Sequence, residues 1–260
     1  MRRSLLTVNG LTVRYGGVCA LDGVDLEVAE GAFVGLIGAN GAGKTTFIDA
    51  VSGLVASRGR VLFGDQDISE LAPNRRARLG LARTFQSLEL FEDLTVRENL
   101  LVSAERSRWY APVLDMVRPA RQRDAERAVE TALELLEIEA LERRLVSSLS
   151  LGQRKLVTVA RALAGRPRFV LLDEPAAGLD SDESLALGHR LRRVVHDGTT
   201  LLLVDHDVGL VLGVCDEIHV LEFGGLIASG SPDQIAADER VIRSYLGEAA
   251  EDSAVAEVLG

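Results

Sequence analysis

The spacing of hydrophobic positions changes several times along the chain, and each change marks an element. From Leu5 to Val13 and from Gly23 to Val28 apolar residues alternate with polar ones, the period of a strand with one buried face. Ala32-Phe33-Val34-Gly35-Leu36-Ile37 is unbroken, which predicts a parallel strand covered on both faces. A helix is expected from Lys44 to Ser52, and Arg60-Val61-Leu62-Phe63 reads as another strand before a turn-rich stretch around Gly64 and Pro73. From Asp93 to Arg144 the character is helical. Thr95 and Glu98 have capping-box spacing, and Ala125, Val129, Leu133 and Leu136 share one helical face. A loop or broken helix is expected around Trp109-Tyr110-Ala111-Pro112.

Strand signals return at Phe169 to Leu172 and Thr200 to Val204. Ile218 to Glu222 and Leu226 to Ser229 flank Phe223-Gly224-Gly225, a hairpin pattern. A last helix is predicted from about Pro232 to Leu246, followed by an acidic, frayed tail over 248–260. One α/β core over 1–247, with a helical subdomain over about 87–163, accounts for the whole chain.

Composition narrows the function classes. The 260 residues are 47% hydrophobic and 26% charged, ordinary for a folded globular protein. Lys and Arg number 29 against 39 Asp and Glu, a net charge of -10, which disfavours an extended phosphate-binding surface for nucleic acid. Cys19 and Cys215 are far apart and in no metal-type spacing, so both read as reduced, packed side chains. No apolar run approaches the roughly 18 to 20 residues that span a bilayer as a helix. The start, Met1-Arg2-Arg3-Ser4-Leu5-Leu6, has positive charge but no long apolar core behind it. A soluble, cytoplasmic protein is expected, any work on a membrane being done through partner chains.

Three clusters carry chemistry. Gly38-Ala39-Asn40-Gly41-Ala42-Gly43-Lys44-Thr45, with Thr46 behind it, matches G-x-x-x-x-G-K-[ST] between a buried strand and a helix. Its glycines let backbone N–H groups approach phosphate oxygens, and the helix start adds a favourable dipole. Lys44 is placed to neutralise the outer phosphates and Thr45 to hold magnesium. Asp173 and Glu174 end an apolar strand, where ligands collect in open α/β sheets. Asp173 suits the metal shell, and Glu174 the orientation or deprotonation of an attacking water. Ser150 and Gln153 have capping-box spacing around Gly152, and a capped helix start with a close-approach glycine is an anion site. A well-capped helix explains the same three residues without any ligand.

Taken in order, these segments resemble ATP-binding cassette (ABC) ATPases. Asp180 in Ala177-Gly178-Leu179-Asp180 looks like the family's D-loop, and His206 in Val204-Asp205-His206-Asp207 like its switch histidine. Gln86 in Thr84-Phe85-Gln86 is similar to the glutamine that links the magnesium site to the helical block, and Tyr15 to the aromatic that stacks on adenine. His189, His196 and His219 match nothing in the pattern and read as structural. Leu151 departs from it, standing where many such signatures have glycine.

Gly80-Leu81-Ala82-Arg83-Thr84-Phe85-Gln86, Leu94 to Leu100 and Val241 to Gly247 resemble more narrowly the importers of branched-chain amino acids. The resemblance implies a P-loop NTPase fold with a mostly parallel core sheet, an antiparallel β subdomain and an inserted helical subdomain. It also implies ATP and Mg2+ as cofactors, a second ABC ATPase subunit and transmembrane permease subunits as partners, and a solute-binding protein acting indirectly. The chain would then sit at the inner face of the cell membrane. The rivals are a soluble ABC ATPase acting on nucleic acid or ribosomes, and a small-molecule kinase; the latter has no use for Ser150-Leu151-Gly152-Gln153 or His206.

Overall fold

The structure, a computed structural model, describes residues 3–85, 89–104 and 119–243, the side chains of 119–122 excepted. The chain divides into two compact units, 1–79 with 200–260, and 80–199.

In the first unit β1 (Ser4–Tyr15) and β2 (Val18–Ala29) form an antiparallel hairpin, longer than the alternation alone marks out. Leu6, Val8, Leu11 and Val13 are buried, so the polar positions between them face outward. β3 (Phe33–Ile37) is buried at every position. The helix α1 (Lys44–Ser52) has the predicted limits.

The turn-rich stretch after β4 (Arg58–Phe63) contains β5 (Gln66–Asp67) and the short helix α2 (Pro73–Arg78). The antiparallel sheet runs β2-β1-β4-β5. α2 has Pro at its first position, where a missing N–H costs nothing, but no apolar stripe. Buried Arg76 explains why it forms. Its guanidinium donates to Ala50 O and Val51 O at 2.9 and 2.7 Å, satisfying carbonyls at the end of α1, and to Ser69 O at 2.7 Å.

The second unit opens with β6 (Leu81–Arg83) and α3 (Val96–Ala104). Thr95 and Glu98 form the expected reciprocal cap, Thr95 N–H donating to Glu98 Oε2 at 2.8 Å and Glu98 N–H to Thr95 Oγ1 at 3.3 Å. Asn99 is fully buried; it accepts from Phe91 N–H at 2.8 Å and donates to Phe91 O and Thr95 O, each at 3.0 Å. It thereby fastens the loop before α3.

In α4 (Pro119–Leu136), Ala125, Val129, Leu133 and Leu136 all face the core. α5 (Leu151–Ala164) leads to β7 (Phe169–Asp173), which pairs in parallel with β6, Arg83 lying beside Leu171. α6 (Ser181–His196) follows.

Back in the first unit, β8 (Thr200–Val204) is followed by α7 (Val208–Val214), β9 (Glu217–Glu222) and β10 (Gly225–Gly230). β3 lies between β8 and β9, parallel to both. The predicted β9–β10 hairpin is present, with positive φ at Phe223 and Gly224, 46° and 82°, as a tight primed turn requires. The single terminal helix expected to Leu246 is instead interrupted. α8 (Pro232–Ala237) stops at Asp238, which is extended (φ -77°, ψ 116°) and accepts from Arg240 N–H at 2.8 Å. That carboxylate caps a new helical turn rather than continuing the old one.

Among the described residues no helix is long and apolar enough to cross a membrane. Trp109 to Pro112, the segment past Arg243 and the tail over 248–260 lie outside the described residues.

Candidate functional site

The first unit holds the glycine loop. Buried β3 ends at Ile37, and the chain turns at Gly38 with φ of 155°. A Cβ there would lie 2.2 Å from Leu221 O on β9. Gly43, just before α1, has φ of 107°, and a Cβ on it would lie 2.7 Å from Ala20 O and 2.8 Å from Leu21 Cδ2. Glycine is required at both positions, by conformation and by space.

Across the loop, Gly224 N–H donates to Ala42 O at 3.0 Å, so the β9–β10 turn is tied to it. Asp22 N–H in turn donates to Gly224 O at 2.9 Å. Lys44 is buried at the start of α1, and its Nζ donates to Gly38 O at 2.6 Å and Ala39 O at 2.9 Å. Asn40, Gly41 and Thr45 are exposed, Ala42 is buried, and Thr46 is half-buried. A glycine-shaped loop before a helix start, with an ammonium held against its carbonyls, is suited to an anion.

Tyr15 closes β1 at the tip of the β1–β2 hairpin and is half-exposed, as a side chain that stacks on a ring must be. His206 is carried just past β8, whose Val204 lies beside Leu36 of β3, so it and the glycine loop leave the carboxyl ends of adjacent parallel strands. The exposed His206 ring has Nδ1 3.6 Å from Oδ1 of fully buried Asp205. Asp205 also accepts from Asp207 N–H at 3.1 Å, and Asp207 caps α7 by accepting from Leu210 N–H at 3.0 Å. His219 is a core residue, as its lack of motif support implied. Its Nδ1 is 2.7 Å from Ser229 Oγ, and burial pushes its pKa down to about 4.

The second unit holds the acidic strand end and the capped helix. Asp173 is the last residue of β7, buried, with Oδ2 3.0 Å from Arg83 Nη2. Its N–H donates to Thr84 Oγ1 at 3.3 Å. Glu174 has φ of 47°, a left-handed conformation that costs a non-glycine residue roughly 1 kcal/mol or more. It is held there by its carbonyl, which accepts from the Nζ of buried Lys155 at 3.1 Å and from Ala177 N–H at 3.2 Å.

Ser150 caps α5 in the predicted box: Gln153 N–H donates to Ser150 Oγ at 3.3 Å and Ser150 N–H to Gln153 Oε1 at 3.1 Å. Asp180 forms a second box with Glu183 at the start of α6. Glu183 also faces the first helix, for a Cβ on Gly152 would lie 3.1 Å from its Oε1. Leu151 is half-exposed, its Cδ2 3.2 Å from where a Cβ on Gly178 would be. The structure therefore brings Ser150, Gly152 and Asp180 into one neighbourhood. Gln86 lies outside the described residues.

Sequence reasoning missed Arg83, Lys155 and Glu183 as members of this machinery. Only Glu183 left a signal, its spacing from Asp180 being that of Gln153 from Ser150.

The chain is similar to known proteins in sequence and in fold. Residues 21–177 match the family model described as ABC transporter, and residues 226–251 that described as branched-chain amino acid ATP-binding cassette transporter. The high-affinity branched-chain amino acid transport ATP-binding protein LivG of Escherichia coli (strain K12) is 39% identical over 255 residues, covering 96% of this chain and 100% of that one. A crystal structure of the ADP conformation of MJ1267, an ATP-binding cassette of an ABC transporter, has a TM-score of 0.83 at 29% identity, over 94% of this chain and 99% of that one. A dimeric, post-hydrolysis structure of the cassette MJ0796 bound to ADP and Pi has a TM-score of 0.71 at 26% identity, over 87% and 98%.

Proposed function

The chain belongs to the ABC transporter family, an ATP-binding cassette that hydrolyses ATP to power transport, and from that premise we propose that it drives a branched-chain amino acid importer. The observation that carries this reading is the second family match, 226–251, which lies outside the part common to ABC transporters. The narrower likeness of residues 80–86 and 94–100 supports it. The chain works at the inner face of the membrane, docked on permease subunits that a solute-binding protein supplies.

Two cassettes, this chain twice or this chain with a paralogue, meet so that Ser150 and Gly152 of one grip ATP held by the Lys44 loop of the other. Each chain carries two helix starts suited to phosphate, α1 and α5, but among the described residues one adjacent carboxylate pair at the carboxyl end of a parallel strand, Asp173 and Glu174. A two-fold arrangement uses both starts. Tyr15 stacks on the adenine, and the amides from Gly38 to Thr46 with Lys44 hold the phosphates.

Thr45, Asp173 and Gln86 would hold magnesium. A hydroxyl, an amide oxygen and a buried carboxylate are hard oxygen donors of the kind a dication shared with phosphates takes. Bound there, the ion neutralises charge on the outer phosphates. Glu174 orients the attacking water and accepts its proton, His206 contacts the γ-phosphate, and Asp180 faces the partner cassette. The chemistry asks for positioning and charge stabilisation rather than covalent catalysis.

The test is replacement of the chromosomal copy by Glu174→Gln, read as uptake of labelled leucine together with phosphate release by the purified protein. Both should fall at least about a hundredfold, the usual contribution of a positioned base. Normal turnover would remove Glu174 from its role. Lost turnover with undiminished uptake of leucine, isoleucine and valine would remove the substrate assignment.

A further inference from the structure

Parallel pairing of β6 with β7 sets a guanidinium against the carboxylate assigned above to magnesium. Arg83 Nη2 and Asp173 Oδ2 are 3.0 Å apart, with side chains 8% and 1% exposed. Charges this buried are weakly screened, and a buried carboxylate carries a large desolvation cost unless a cation stays beside it. An oxygen that accepts a charge-assisted hydrogen bond from Arg83 offers less electron density to a dication, and the two cations repel.

Arg83 is also joined to the chain that leaves β6. Its guanidinium carbon lies 4.8 Å from the centroid of the Phe85 ring, a cation–π contact. Thr84, between them, is bonded twice to β7: its N–H donates to Leu171 O at 2.9 Å and its hydroxyl accepts from Asp173 N–H at 3.3 Å. Phe85 is 40% exposed and immediately precedes Gln86.

We propose that Arg83 is a positioning residue that competes with the metal for Asp173, and that its release from Asp173 shifts the Phe85 ring. With no metal bound, Arg83 supplies the counter-charge that holds the Asp173 carboxylate in place. When a dication takes over that charge, the guanidinium gives way and the Phe85 ring stacked on it shifts. A purely structural ion pair would stabilise the fold but leave the metal dependence of nucleotide binding untouched.

The proposal rests on the assignment of Asp173 to magnesium, and the experiment separates the two. ADP binding by the full chain is titrated calorimetrically against free Mg2+ for wild type, Arg83→Met, Arg83→Lys and Asp173→Asn. Arg83→Met should lower the Mg2+ concentration at half effect by about tenfold, within the usual range of coupling between sites. Affinity for ADP in EDTA should not change, and Arg83→Lys should fall between. An unchanged midpoint in both arginine variants overturns the proposal while leaving the metal assignment standing. An unchanged midpoint in Asp173→Asn overturns both. Should Arg83→Met not fold, Arg83→Lys decides, together with Phe85→Trp emission in the otherwise native chain. That emission should respond to Mg2+ with ADP but not to ADP alone, and equal responses would overturn the proposal.

Discussion

The glycine loop and the acidic strand end are built in opposite ways. The loop is made of backbone: its shape is set by glycines with φ of 107° and 155°, and Lys44 is held by carbonyls five and six residues before it. The strand end is made of side chains brought from afar, Arg83 and Thr84 meeting Asp173 some ninety positions later. A site of the first kind tolerates no added atom where backbones meet, as at Gly38 and Gly43. One of the second kind tolerates shape changes but not the loss of a partner.

The sharpest way to break the contrast is to add a methyl group to the loop. Gly43→Ala meets Ala20 O at 2.7 Å, whereas Gly41, with φ of 81°, has nothing within 4 Å of a built Cβ. Gly43→Ala should weaken ATP binding at least about a hundredfold, some 3 kcal/mol, and Gly41→Ala roughly tenfold from conformational strain alone. Equilibrium titration with a fluorescent nucleotide measures both; equal losses would show that space around Gly43 is irrelevant.

Acid should separate the two regions next. His219 lies beside Leu36 in the strands beneath the loop, and its pKa is depressed to about 4 against an ordinary value near 6.5. The folded form excludes a proton that the unfolded chain accepts, so stability is full above about pH 6.5 and falls as the pH drops toward 4. Between pH 7 and pH 5 the loss is about 2 kcal/mol. In urea denaturation at the two pH values, His219→Gln should lack that much of the wild-type decline.

The smallest effect tests the strand end without touching charge. Thr84→Val keeps the volume but removes the hydroxyl that accepts from Asp173 N–H. Stability should fall by about 1 kcal/mol with an unchanged denaturant slope. A neutral result would mean that the Thr84 hydroxyl does not help to fix the strand end.

This division also explains what could be read from the chain. The loop, the limits of α1 and the caps at Thr95 and Ser150 were legible because every contact that defines them lies within a few residues. The hairpin at Phe223 was legible for the same reason. Arg83 was visible as a residue but not as the partner of Asp173, because that pairing follows from the adjacency of β6 and β7 and no spacing encodes it. Asn99 and Arg76 are polar residues doing their work inside the fold, where a hydrophobic pattern is silent. The break at Asp238 was missed because the helical periodicity on either side conceals a competing cap.

The placement of β3 has a consequence for how the protein is born. Both strands beside β3, and the Gly224 amide that fastens Ala42, come from residue 200 onward. Residues 80–199 form one uninterrupted unit made in between. At ordinary translation rates that stretch takes on the order of ten seconds to leave the ribosome. The emerging chain therefore carries its glycine loop for most of its synthesis without the strands that flank it. Competence for nucleotide arrives late, when the last strands emerge.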